Sequence, residues 1–331
     1  MRPLAVLTLS VLSSALLLAA ATGYHVVGDI KIGGEGSWDY LTVDSAARRA
    51  YVSHATHVVV VDIDANKVVG DIPDTPGVHG IALAPELNRG FVSNGRGNNV
   101  TIFDLKTLKT IGQAATGENP DSIRYDSVSG RVFTFNGRSS NSTAIDAKTG
   151  TVAGTIALGG KPEFSVADGK GSVFANLENT NEIVVIDAAK LSVTKRYSLS
   201  PCDGPSGLAI DTKNRKLFSV CSNRIMAVSD PDTGKVVATP AIGAGSDGVA
   251  FDPGTGYAFS SNGDGTLTIV QQAGGKYEVA ENIATERGAR TIALDDKTHR
   301  VFLPTARTAP SQGAGRATYL PDSFKVLVVG K

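Results

Sequence analysis

Residues Ala50 to Ile72 read AYVSHATHVVVVDIDANKVVGDI, in which an aromatic strand, an apolar strand and a weaker strand follow one another. This phrase returns with a period of about 42 residues, which is the period expected of propeller blades. Its aromatic residue is repeated at intervals of 40, 42, 41, 44, 41 and 43 residues. The seven copies are Tyr51, Phe91, Phe133, Phe174, Phe218, Phe259 and Phe302.

A further apolar segment precedes each aromatic residue and ends in an acidic or turn residue, as expected of a first strand. These segments are LTVD (41–44), IALAP (81–85), IRYD (123–126), FSVAD (164–168), LAID (208–211), VAFD (249–252) and IALDD (292–296). Seven phrases of four strands predict an all-β, seven-bladed β-propeller. The last phrase lacks a fourth strand, and residues 24–32 (YHVVGDIKI) resemble KVVGDI. We therefore expect an N-terminal strand to complete the last blade and close the ring.

The composition agrees with an all-β protein, because 37 Gly and 14 Pro accompany only 19% charged residues. Residues 1–21 place Arg2 before an apolar run that ends in small residues, which predicts a cleaved signal peptide. The remaining 22–331 form one predicted domain, periplasmic or secreted and monomeric, with no membrane span after cleavage. Without Arg2 the chain has 31 basic and 32 acidic residues, so no basic surface for nucleic acid is expected.

Two features are assigned to structure rather than chemistry. Cys202 precedes the first strand of blade five and Cys221 ends its second strand, so these neighbours are expected to form a disulfide. Five third strands end in an aspartate that leads into a turn, where we expect the side chain to cap the backbone. These aspartates are Asp62, Asp104, Asp146, Asp187 and Asp230.

The repeat also carries a family resemblance. The tetrads 51–54 (YVSH), 91–94 (FVSN) and 259–262 (FSSN), each followed by a third strand and often by a DxxTG-like turn, resemble the YVTN-repeat β-propeller family of exported bacterial proteins. The resemblance covers essentially the whole predicted domain. It implies the propeller fold but no particular activity, because similar propellers serve as binding platforms and as enzymes. The fourth tetrad position departs from Asn at Leu177, Cys221 and Thr305.

In each blade, one residue that lies one or two positions before the first strand is predicted to point towards the mouth of the central channel. We call this set the mouth ring, and it consists of Asp39, His79, Asp121, Glu163, Ser206, Asp247 and Arg290. Clustered acids are unfavourable unless a cation, a proton or a basic partner compensates them. The mouth ring is therefore the predicted ligand-binding site, for a divalent metal or a cationic ligand. The alternative is that these residues lie on solvated loops and bind water, with Arg290 neutralising a neighbour.

The histidines of the opening stretch suggest a second possibility. His54 and His57 flank the hairpin of blade one, on the same face as His79, and three imidazoles would suit zinc, copper or iron. The alternative is that they are polar residues of the rim, because their spacing matches no known motif. His25 and His299 are placed on the outer strand and on a turn of the far face, without a functional role.

The segment TARTAPSQGAGRATYLPDS (305–323) is the longest loop on the mouth face. Long loops in compact domains are usually functional or disordered. The segment carries Arg307, Arg316 and Tyr319, and it is predicted to cover the channel mouth with its arginines towards the acids.

These features favour a non-enzymatic platform that binds a protein or a small molecule through the mouth face. No cofactor is assigned beyond a possible divalent metal, since there is no CxxCH haem motif, no phosphate-binding loop and a single tryptophan, Trp38, to stack on a quinone. The alternative is a lactonase or lyase similar to virginiamycin B lyase. In that alternative a metal polarises a carbonyl, and His79 or Glu163 exchanges a proton.

Overall fold

The structure is a computed structural model that describes residues 21–309 and 318–331. It contains seven four-stranded antiparallel sheets. The innermost strand of each sheet contacts the innermost strands of both neighbouring sheets, so that the seven sheets close into a ring. The predicted seven-bladed β-propeller is confirmed. The predicted signal peptide lies outside the described residues, apart from Ala21.

Each of the first six blades is a simple meander from the channel outwards. Blade 1 consists of β2 (Leu41–Asp44), β3 (Arg49–His54), β4 (His57–Asp62) and β5 (Lys67–Ile72). Blade 2 consists of β6 (Val78–Ala84), β7 (Arg89–Asn94), β8 (Asn99–Asp104) and β9 (Thr110–Ala115). Blade 3 consists of β10 (Pro120–Asp126), β11 (Arg131–Asn136), β12 (Asn141–Asp146) and β13 (Val152–Ala157). Blade 4 consists of β14 (Pro162–Ala167), β15 (Ser172–Leu177), β16 (Glu182–Asp187) and β17 (Ser192–Ser198). Blade 5 consists of β18 (Pro205–Asp211), β19 (Lys216–Cys221), β20 (Met226–Ser229) and β21 (Val236–Ala238). Blade 6 consists of β22 (Ser246–Asp252), β23 (Tyr257–Asn262), β24 (Thr266–Ala273) and β25 (Lys276–Ala284).

Blade 7 is built from both ends of the chain. It contains β26 (Ala293–Asp295), β27 (Arg300–Thr305), β28 (Lys325–Gly330) and, outermost, β1 (His25–Lys31). Strand β1 runs antiparallel to β28, with His25 opposite Gly330 and Lys31 opposite Lys325. The predicted closure of the ring by the N-terminal strand is confirmed.

The repeated aromatic residues form the core between blades. All seven are at most 1% exposed. Phe133 of blade 3, for example, lies in one cluster with Val173 and Ala175 of blade 4. Burying a large apolar side chain contributes about 1.5–3 kcal/mol, so a once-per-blade aromatic stabilises every blade junction. Ile30 of β1 belongs to the cluster that joins blades 7 and 1.

The five turn aspartates have the structural role that was expected of them. In each, the carboxylate Oδ1 accepts hydrogen bonds from the backbone N–H groups two and three residues later. The predicted disulfide is also present, with the Cα atoms of Cys202 and Cys221 5.5 Å apart. Within the described ranges, no helix is long and apolar enough to cross a membrane.

The inner strands differ from the predicted segments at their beginnings. In blades 2 to 6 they start two or three residues earlier than the apolar pattern indicated, at Val78, Pro120, Pro162, Pro205 and Ser246. The pattern failed there because each strand carries a register shift near its start, which breaks the alternation of buried and exposed residues. Five mouth-ring residues therefore lie within inner strands, while Asp39 and Arg290 lie two and three residues before β2 and β26.

Candidate functional site

β-Bulges occur at the mouth-ring positions of five of the seven blades. In blade 3 the register between β10 and β11 shifts between Pro120 and Ile123, and Asp121 lies in that shift. The equivalent shift contains the ring residue in blades 2, 4, 5 and 6. A bulge bends its strand and re-aims a side chain. All seven ring residues are half-buried, each directly after a buried residue.

Hydroxyl groups of neighbouring blades hold the ring backbone in place. Ser93 Oγ donates a hydrogen bond to the carbonyl of Asp121 (2.5 Å), and Ser261 Oγ donates one to the carbonyl of Arg290 (2.6 Å). Both serines occupy the third position of the family-like tetrad, and each anchors the ring residue of the following blade. The tetrad serines of blades 2 and 6 therefore hold the backbone of the mouth ring in addition to belonging to the repeat.

The first half of the ring forms a compact charged cluster. His79 Nδ1 lies 2.5 Å from Asp39 Oδ2 and 3.8 Å from Asp121 Oδ1. Arg290 connects the cluster to blade 6, with Nε 2.9 Å from Asp247 Oδ2 and Nη2 3.8 Å from Asp39 Oδ1. One ligand atom from each of Asp39, His79 and Asp121 lies within 4.8 Å of the others, the one such group of potential metal ligands in the described part of the chain.

A second cluster lies on the blade 4 side. Lys161 Nζ donates to Glu163 Oε1 at 2.6 Å and also to Glu178. Sequence reasoning did not select Lys161 and Glu178, because neither occupies the ring position. The feature of the sequence that could have pointed to this cluster is a lysine, Lys161, two residues before the ring acid Glu163. Ser206 carries no charge into the site, since its hydroxyl donates to the carbonyl of Ser246 (3.1 Å).

Burial perturbs the acids of the ring. It raises the pKa of Asp121, Glu163 and Asp247, and nearby carboxylates raise these pKa values further. Burial alone would lower the pKa of His79, but its hydrogen bond to Asp39 and the charges of the surrounding acids raise that pKa to about 9. The mouth therefore holds carboxyl groups that bind protons more readily than usual and an imidazole that is protonated at neutral pH.

An aromatic pair lies next to the acids inside the channel. Tyr40 follows Asp39 and Phe164 follows Glu163, and the centroids of their rings are 4.8 Å apart in an edge-to-face arrangement. Tyr40 is 7% exposed, and burial followed by the charges of the ring acids raises the pKa of its hydroxyl well above the usual value. Neither residue was selected from sequence, because a single aromatic in an inner strand does not repeat between blades.

The structure does not assemble the three predicted histidine ligands. The rings of His54 and His57 are 5.0 Å apart, but His79 pairs with carboxylates, and the group of three potential ligands contains neither of the other imidazoles. His54 is 2% exposed and stacks on Phe324 with ring centroids 4.4 Å apart, while its pKa falls to about 4 through burial and the charge of His57. His54 is thus a neutral core residue.

The long insert of blade 7 borders the mouth. Its returning arm places Tyr319 against Trp38, with ring centroids 4.7 Å apart, directly before Asp39 in sequence. Arg307 is exposed, and Arg316 lies outside the described residues. A cover formed by the arginines stays a prediction.

Comparisons with known proteins identify the fold but not the family. No family model matches the chain, and no curated protein matches it significantly. The chain is similar to a solved structure of hydrazine synthase from Kuenenia stuttgartiensis, with a TM-score of 0.70, 15% identity, and coverage of 83% of this chain and 94% of that chain. At this identity the similarity establishes a shared propeller architecture and nothing about the site.

Proposed function

We propose that this protein is a binding platform whose mouth ring takes a cationic ligand. The observation that carries the proposal is the convergence of Asp39, His79 and Asp121 to within 4.8 Å at the channel mouth. Residues of three different blades meet there, which is the arrangement expected of a pre-formed binding site.

The charge balance favours a cation over an anion. The two clusters contain five carboxyl groups against three basic groups, and burial acts against ionisation of several of the acids. A bound cation would allow these carboxyl groups to ionise and would repay their desolvation. The basic groups are His79, Lys161 and Arg290.

The proposal is tested by calorimetric titration of the purified protein with Mn²⁺, Zn²⁺ and the organic dication putrescine. We expect saturable binding of at least one of these cations, weakened at least tenfold in Asp121→Asn, because a carboxyl group would no longer ionise at the site. Asp104→Asn is the matched control, since Asp104 caps an exposed turn through Thr107 N–H. Equal binding by wild type and Asp121→Asn, or no binding of any of the three cations, would contradict the proposal.

The second candidate function is the metal-assisted lactonase or lyase, and the same carboxylate and imidazole group favours it. A metal would be held by Asp39, Asp121 and His79, which supply the oxygen and nitrogen ligands of several divalent ions. His79 would first have to lose its proton, so metal binding should release a proton and strengthen as pH rises from 7 to 9. If one metal ion binds per protein molecule without releasing a proton, the ion is bound somewhere other than at His79. Turnover of a lactone that Glu163→Gln abolishes would favour this function over the platform.

We also infer that the protein is exported and belongs with the YVTN-repeat propellers. Its disulfide is of the kind that persists in oxidising compartments, and the tetrad serines Ser93 and Ser261 recur at equivalent positions. Mass spectrometry of the protein recovered from the periplasm or medium should find an N-terminus near Thr22. Recovery from the cytoplasm with residues 1–21 intact would exclude export.

A further inference from the structure

A cavity of about 350 Å³ lies at the end of the channel opposite the mouth ring. Its wall includes Arg124 and Tyr125 of β10, Leu83 of β6 and the turn that follows β2, including Ser45. Arg124 is three residues beyond Asp121 on the same strand, which places it on the order of 10 Å further along the channel. None of the seven mouth-ring residues lines this cavity.

One edge of the Arg124 guanidinium is hydrogen-bonded to the backbone of the neighbouring blade 4. Its Nε and Nη2 donate to the carbonyl of the buried Ser165 at 3.1 and 2.9 Å, and its Cζ lies 5.5 Å from the centroid of the Phe164 ring. These contacts use two of the five N–H groups. Nη1 and the second N–H of Nη2 have no hydrogen-bond partner among residues 21–309 and 318–331. They form the second edge of the guanidinium, the geometry that accepts a carboxylate with two parallel hydrogen bonds.

No acidic side chain pairs directly with this guanidinium within the described part of the chain. Arg48, Arg215 and Arg290 each pair with carboxylates, whereas Arg124 lies within 4.0 Å of none. Burial lowers the pKa of Arg124 to about 10. Arg124 is half-buried, so the edge of its guanidinium that has no protein partner is open to an external anion at the cavity wall.

We propose that this far cavity is a second binding site, for a small monocarboxylate with an apolar body, whose carboxylate pairs with the free edge of Arg124. Leu83 and Pro85 supply apolar contacts for the body of the ligand. Asp44 and Asp296 also line the cavity, and their charge repels a dianion such as phosphate more strongly than a monocarboxylate. The molecule would thus bind oppositely charged ligands at the two ends of one channel.

The test is equilibrium titration of the full-length protein with butyrate, hexanoate and inorganic phosphate. We expect saturable binding of the carboxylates, tighter for hexanoate because of its longer apolar body, and at least tenfold weaker in Arg124→Gln. Arg89→Gln is the matched control, since Arg89 also donates to a backbone carbonyl, that of Ala147, but lies outside this cavity. That variant should bind as wild type does.

A second variant keeps the test decisive if Arg124→Gln does not fold. Leu83→Trp fills the cavity and leaves the guanidinium in place, and it should weaken carboxylate binding by at least tenfold while cation binding at the mouth ring is unchanged. Absence of carboxylate binding in the wild type, unchanged binding in Leu83→Trp, or phosphate binding more tightly than hexanoate would overturn the proposal.

Discussion

Proton binding by three mouth-ring side chains should make the stability of the ligand-free protein depend on pH. His79 has a folded-state pKa of about 9 against an ordinary value near 6.5, so its contribution is complete below about pH 6.5 and is lost as pH rises towards 9. Asp121 and Glu163 have raised pKa values, so the folded state retains protons that the unfolded chain has released. Stability falls as pH rises through that interval as well, and all three groups act in one direction.

We therefore predict that the melting temperature of the ligand-free protein falls steadily from pH 5.5 to pH 9. The pKa difference of His79 alone corresponds to about 3 kcal/mol across this range. Differential scanning calorimetry at pH 5.5, 7 and 9 measures the trend, and Asp121→Asn should reduce its slope. Asp264→Asn, at an exposed turn, should keep the wild-type slope. A melting temperature that rises towards pH 9 would contradict the raised pKa values, because it requires the unfolded chain to bind more protons than the folded protein.

The repeat pattern alone selects the ring positions, because they recur at one place in every repeat. Tyr40, Lys161 and Arg124 did not, since each occurs in one blade only. A repeat pattern identifies what the blades share. It is silent about the side chains in which one blade differs from the others, and those are the ones that add aromatic contacts and charge to the channel.

The existence and order of the strands were predictable from the sequence, but the residues at which the inner strands begin were not. The third strands end at the predicted aspartates because capped turns have a local signature, as Asp146 shows through its bonds to Lys148 and Thr149. The inner strands begin earlier than predicted because their bulges depend on hydroxyls of other blades, such as Ser93. The stacking of Phe324 on His54 was not predictable either, because the two residues are about 270 positions apart in the sequence.

Hydrogen bonds between β1 and β28 close the ring of blades. Both strands belong to blade 7, the one blade in the described structure that joins the two ends of the chain. Two arginines cross blade junctions with the same geometry. Arg48 connects Asp64 of blade 1 to the buried Asp295 of blade 7, and Arg215 connects Asp232 of blade 5 to the buried Asp168 of blade 4. The two pairs of contacts are chemically equivalent, but only the first spans the closure.

These two arginines therefore test where the propeller opens first. Replacing either with Met leaves a buried carboxylate unpaired, which costs about 3–5 kcal/mol. In Arg48→Met this cost falls on the blade junction where the ring is held closed by the β1–β28 pairing rather than by the chain itself. Hydrogen exchange measured by mass spectrometry should therefore accelerate in β1 and β28, while blades 3 and 4 stay protected. In Arg215→Met, acceleration should be confined to blades 4 and 5. Exchange in β1 and β28 that is equally fast in both variants would mean that the ring opens as one cooperative unit, and that the closing strand is as strong as the covalent junctions.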